Sequence, residues 1–201
     1  MAYASWVTPN KQSGSGNDTV SWTGSAHTGR SSRTTTATFA ASGVESKTLT
    51  IVQAGKAEFV EMDDTASVAK AGGTVTISGT SNSSKLTFSL TGTNGIGIVL
   101  PTTYLANSVS TNNGAAISGD PGATQQYAFS ITFSNIPENT TVSSLTSQLT
   151  VTTNNGETDT CTITQAAGDA YLTISPTTIN LTAAGTAVSV TVTSNTSWTI
   201  S

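Results

Sequence analysis

The sequence repeats itself at a fixed spacing. Thr48-Leu49-Thr50-Ile51-Val52-Gln53-Ala54 returns as Thr160-Cys161-Thr162-Ile163-Thr164-Gln165-Ala166, 112 positions on. Ala71-Gly72-Gly73-Thr74-Val75-Thr76-Ile77 returns as Ala184-Gly185-Thr186-Ala187-Val188-Ser189-Val190, 113 positions on, and the match continues from Thr80-Ser81-Asn82 to Thr193-Ser194-Asn195. Two separate blocks at one spacing mark a structural unit used more than once. A chain of 201 residues has room for one whole unit of that size between two incomplete ones.

The units read as β-structure. Segments 34–39, 48–53, 74–78, 85–90, 127–133, 148–153 and 188–193 alternate apolar residues with Thr or Ser, the period-two pattern of a half-buried strand. Residues 160–164 alternate likewise, with Cys161 in an inward place. Between the strands stand turn residues such as Asn154-Asn155-Gly156, Thr93-Asn94-Gly95 and Gly119-Asp120-Pro121-Gly122. No stretch has a capped helical period, and only 101–106 is read as a short helical turn. Ser and Thr supply about a third of the residues and charged residues 9%, against roughly 25% charge in an ordinary soluble domain. Thr suits a pleated surface that is half exposed. The predicted fold class is all-β, built of immunoglobulin-like β-sandwiches.

Placing the repeat on the chain divides it in three. Residues 56–168 form one complete module. Residues 1–55 carry the closing half of a second sandwich, and residues 169–201 carry an opening half.

The two terminal pieces, joined tail to head, resemble one BACON domain. The residues that carry this likeness are Ser194-Asn195-Thr196-Ser197-Trp198, the tryptophan strand at Trp6, the turn Ser13-Gly14-Ser15-Gly16 and the closing strand ending at Gln53. BACON domains are small immunoglobulin-like modules common in Bacteroidetes proteins, often beside glycan-processing enzymes, and they also occur on Bacteroides phages, crAss-like ones included. The middle module resembles the family only at its two ends. It has Lys85 where the family has tryptophan, and its centre, 92–137, is longer than the family needs. The resemblance implies that Trp6 and Trp198 are core residues of the composite sandwich.

A half-sandwich leaves an apolar face and open strand edges in water. Each half therefore needs a partner, in the same chain or in a neighbouring one. Closure within one chain needs two tight U-turns through the short linkers 54–56 and 166–169. Completion between chains needs none, and a heterologous contact of that kind propagates. The expected assembly residues are Tyr3, Trp6, Leu172, Ile174, Val188, Val190, Val192, Trp198 and Ile200.

Little in the chain suggests chemistry. His27 is the only histidine and sits in a turn. Cys161 is the only cysteine, so no intrachain disulfide forms. Glu58, Glu61, Asp63 and Asp64 are sequence neighbours on one strand and turn, so they do not face one another across a cleft as glycosidase carboxylates do. They read as a solvated edge that discourages sticking. The expectation is a non-enzyme with no catalytic, cofactor or metal site. A net charge of −4 without a basic run argues against nucleic acid, and Arg30 and Arg33 read as a solvated turn. No run of about 18 apolar residues is present to span a bilayer. Tyr104 and Tyr127 are the candidate exposed aromatics for stacking on a sugar.

Two functions fit. The first is a structural virion protein, in head decoration, fibre or tail, made in the host cytoplasm without a signal peptide and binding copies of itself and other virion proteins. The second is a carbohydrate-binding or spacer module of a secreted Bacteroidetes glycan-processing protein, located outside the cell or on its surface and contacting surface glycans.

Overall fold

The computed structural model describes residues 3–92 and 96–201. The turn at Thr93-Asn94-Gly95 lies outside the described residues.

The middle of the chain is a two-layer β-sandwich. One layer has five strands: β5 (Val60–Met62), β7 (Gly73–Ser81), β9 (Thr103–Ala106), β10 (Val109–Asn112) and β11 (Tyr127–Ile136), in the order β10-β9-β11-β7-β5. The other has four: β6 (Thr65–Val68), β8 (Leu86–Thr91), β12 (Leu145–Thr153) and β13 (Thr158–Gln165), in the order β6-β13-β12-β8. All neighbours are antiparallel except β6 and β13, which run parallel with Ile163 beside Ala66 and Gln165 beside Val68. Alternation explains the layers, because every second residue of each strand faces the opposite sheet. Ile77, Ile131 and Phe133 from the first layer meet Leu86, Leu149, Val151 and Ile163 from the second in one continuous buried core. The Asn154-Asn155-Gly156 turn joins β12 to β13 as its sequence predicts, with Gly156 at φ 97°.

One local expectation changes. Residues 101–106 hold strand β9 and not a helical turn, because Tyr104 and Ala106 alternate inward beside β11. Asp120-Pro121-Gly122 leads into a single 3-10 turn, Pro121–Ala123.

The terminal segments hold shorter ladders. Residues 3–55 contain β1 (Val7–Pro9) paired with β2 (Trp22–Gly24), and β3 (Arg33–Phe39) paired with β4 (Lys47–Gln53). Residues 169–201 contain only β14 (Leu172–Ser175) paired with β15 (Thr191–Ser194).

These ladders repeat the register of the central sandwich. In β3–β4, Arg33 faces Gln53 and Ala37 faces Leu49. In β12–β13, Leu145 faces Gln165 and Leu149 faces Cys161, each residue 112 positions further on. In β14–β15, Leu172 faces Ser194 and Ile174 faces Val192. In β5–β7, Val60 faces Ser81 and Met62 faces Gly79, 112 positions back on the first strand and 113 on the second. The sequence repeat is thus a repeat of strand pairing, residue for residue.

One predicted strand shrinks. Of segment 188–193 only 191 onward is strand. Its central counterpart β7 begins at Gly73 because Val75 and Ile77 pair with Phe133 and Ile131 of β11. Among the described residues, Val188 and Val190 have no such neighbour.

Candidate assembly surfaces and joints

Equivalent side chains have opposite exposure in the centre and at the ends. Val60 is 8% exposed and its counterpart Leu172 is 56% exposed. Val75 is 9% exposed and Val188 is 45% exposed. Val68 is buried and Leu181, the same residue of the repeat, lies open, as do Ile174 and Val190. Burying such a side chain is worth roughly 1.5–3 kcal/mol. The C-terminal segment leaves that stabilisation unrealised along one face. In the N-terminal segment Phe39 and Leu49 are exposed, whereas their counterparts Val151 and Cys161 are fully buried.

Of the expected assembly residues, Leu172, Ile174, Val188, Val190, Trp198 and Ile200 are exposed and Val192 is half-buried. Tyr3 and Trp6 are already occupied. The Tyr3 ring meets Trp22 edge-on at 5.1 Å, and the Arg33 guanidinium lies 4.5 Å from the centre of the Trp6 ring. Trp22 in turn meets Phe39 at 6.5 Å. Phe39, Leu49, Ile179 and Leu181 were not singled out from the sequence. The repeat offset identifies all four, because Phe39, Leu49 and Leu181 land on buried positions of the central sandwich and Ile179 on half-buried Ala66.

The linkers are built joints. At the first, Asn82 is fully buried. Its Nδ2 donates to the Thr28 and Ala57 carbonyls at 3.1 Å each, and its Oδ1 accepts from the Phe59 N–H at 2.9 Å. At the second, Asn195 Nδ2 donates to the Thr140 and Asp169 carbonyls at 3.0 and 2.9 Å, and Oδ1 accepts from the Tyr171 N–H at 3.0 Å. The Lys56 N–H donates to Gly29 O, and the Gly168 N–H to Thr141 O. Gln53 Nε2 donates to Ser25 O, and Gln165 Nε2 to Pro137 O. Every one of these partners is displaced by 112 or 113 positions. The joints sit at opposite ends of the sandwich. β7 runs from Gly73 beside Ile136, next to the second joint, to Ser81 beside Tyr127, next to the first. Nine residues of strand put roughly 26 Å between them.

Arg30 and Arg33 are structural and not a solvated turn. Arg30 pairs with Asp120 and donates to Asn82 O at 2.9 Å, tying the N-terminal segment to the central sandwich. Arg33 Nε donates to Gln53 Oε1 at 2.9 Å.

The candidate sugar-binding tyrosines are buried. Tyr104 and Tyr127 are each 3% exposed. Tyr104 packs edge-on against Phe88 at 4.9 Å, and Tyr127 donates its hydroxyl to Ser83 O at 2.9 Å. Burial pushes the ionisation of both upward. Their strand parity turns the rings inward, so a pyranose reaches neither face.

Cys161 lies fully inside the core, and burial, with Asp63, Asp159 and Asp64 nearby, pushes its thiol up to about 11. His27 Nε2 lies 2.7 Å from Ser31 O. Asp63 accepts from the Ser78 N–H at 2.8 Å and Asp159 from the Met62 N–H at 2.6 Å, so both tie strands together. Glu61 is exposed on β5, an edge strand. Among the described residues, no group of three or more His, Cys, Asp or Glu is placed to hold a metal ion, and no helix is long and apolar enough to cross a membrane.

No family model matches the chain, and the search of curated proteins found no match.

Proposed function

We propose that this chain is a non-enzymatic building protein whose copies join head to tail, the C-terminal segment of one completing an immunoglobulin-like sandwich with the N-terminal segment of the next. The observation that carries this reading is the paired exposure: side chains buried in the central sandwich are open at the same repeat positions of both ends. The joints add direction. They hold the two segments at opposite ends of a sandwich, roughly 26 Å apart, so a neighbour reaches the open faces more readily than the other end of the same chain. Such a contact joins two different surfaces and extends into a filament or closes into a ring.

The BACON-like residues gain a physical role in this reading. In Ser194-Asn195-Thr196, the Asn195 amide fixes the joint and Ser194 Oγ donates to Tyr171 O at 2.9 Å. The resemblance and the low charge suit a component of a virion, in head decoration, fibre or tail, beside other virion proteins. Loss of the two tyrosines as contacts removes the sugar-binding alternative's named residues.

Sedimentation of the purified 201-residue chain over a hundredfold dilution tests the proposal. The expected result is a concentration-dependent ladder of oligomers. A monomer at every concentration overturns it. Micrographs showing ordered copies on a particle test the virion placement.

A further inference from the structure

We infer the register in which two copies dock: segment 178–181 of one copy lies parallel beside 50–53 of strand β4 of another, with Ile179 next to Ile51 and Leu181 next to Gln53. This rests on the reading that copies complete one another, and it specifies the contact.

The central sandwich supplies the template. There the opening part of the module covers its closing part, and one edge of that cover is the parallel pair β6–β13: Thr65 beside Thr162, Ala66 beside Ile163, Ser67 beside Thr164, Val68 beside Gln165. The closing strand β13 is β4 displaced by 112 positions, with cross-strand partners displaced by the same 112. The opening segment is displaced by 113 where β6 ends, because the turn bond from Gly72 N–H to Ala69 O recurs as Gly185 N–H to Thr182 O. That turn places Val68 on Leu181, Ala66 on Ile179 and Ser67 on Asn180. Transferring the pairing puts Thr178 beside Thr50 and Asn180 beside Val52.

The side chains agree with the transfer. Ile179 and Leu181 are exposed, and they fall on inward positions where Ala66 is half-buried and Val68 buried. Val52 and Asn180 are exposed and fall on the outward positions of Thr164 and Ser67. Among the described residues, β4 pairs on one side only, with β3, so its other edge is open to an incoming strand. Segment 178–181 pairs with no strand. An open strand edge and an unpaired apolar segment are the two halves of strand addition.

Site-directed cross-linking tests the register. Neighbouring strands lie about 4.8 Å apart, within reach of a disulfide. One chain carries Val52→Cys and the other Asn180→Cys, both outward and away from the core. Mixed under mild oxidation, they are expected to give a disulfide-linked pair of unlike chains at least tenfold faster than the shifted pair Thr50→Cys with Asn180→Cys. Buried Cys161 remains as an internal control, and the unsubstituted chain is expected to give no cross-link. Oligomers that cross-link equally or better at the shifted pair overturn the register and leave head-to-tail assembly standing. Monomers throughout overturn both. A doubly substituted chain that closes on itself at high dilution replaces the neighbouring copy with the chain's own end.

Discussion

Asn82 and Asn195 stand 113 positions apart and make the same hydrogen bonds at opposite ends of one sandwich. Each amide joins the carbonyl of an incoming turn to the start of an outgoing strand. The difference is solvent: Asn82 is fully buried and Asn195 is half-buried, within reach of water. Removing a buried amide strands its partners without water, at about 1–3 kcal/mol per group. Asn82→Ala is therefore expected to cost about 3 kcal/mol in urea unfolding of the central sandwich. Asn195→Ala is expected to cost under about 1 kcal/mol at dilutions where the chain is monomeric. Equal losses would show that the two joints are not built on the same scheme of burial.

Gly55 shows how tightly the first joint closes. A Cβ on Gly55 would lie 2.0 Å from the Arg30 carbonyl oxygen, and one on Gly122 would lie 2.1 Å from the Asn82 carbonyl oxygen. Both neighbours are backbone and cannot rotate away. Gly55→Ala is expected to separate the N-terminal segment from the central sandwich and to raise amide exchange at Arg30 and Ser31, whose N–H groups bond Gly122 and Ala123. Gly43→Ala, at φ 81° in open space, is the control. It carries backbone strain of about 1 kcal/mol and is expected to leave exchange at the joint unchanged.

Cys161 gives the sandwich an alkaline limit. Its thiol is raised from 9.0 to about 11 by burial, so the folded chain keeps the proton after the unfolded chain has lost it. Stability from this group is intact below pH 9. It falls as pH climbs from 9 towards 11, by at most about 1.4 kcal/mol per unit. Cys161→Val is expected to flatten that part of the stability profile. In the native chain at pH 8 a thiol reagent is expected to leave Cys161 unmodified until urea unfolds the core. Rapid modification without unfolding would contradict its placement.

Strand identity was legible where long alternation met a neighbouring strand to pair with, as in 34–39 and 148–153. It failed at 101–106, where Pro101 and a run too short to show a period hid strand β9. It overreached at 188–190, where the residues have strand character and lack the neighbour that β11 supplies to Val75 and Ile77. The tyrosines were misplaced for a related reason. Tyr104 and Tyr127 sit on strands whose inward parity is set by cross-strand partners distant in sequence. The joints were invisible, since an Asn or a Gly has no signature until three backbone segments meet on it. The repeat, by contrast, was readable from the sequence alone, and strand pairing follows it residue for residue.

Met62 and Ile174 occupy the same place in the repeat, opposite Gly79 and Val192. Met62 is buried in the central core and Ile174 is half exposed. A carboxylate at each position separates folding from assembly. Met62→Asp puts an unpaired charge into the core, and several kcal/mol is the expected loss, enough to unfold a module of ordinary stability. Ile174→Asp places the charge where water reaches it in the free chain. The urea midpoint of the central sandwich is expected to stay within error of the parent. Its sedimentation is expected to collapse to monomer at every concentration, because the charge would be buried only on docking. The same experiment on Leu172→Asp should agree, since Leu172 stands on Val60's position and lies open in the same face. If Ile174→Asp and Leu172→Asp left the oligomer ladder unchanged, the apolar face of the C-terminal segment would not be the surface through which copies join.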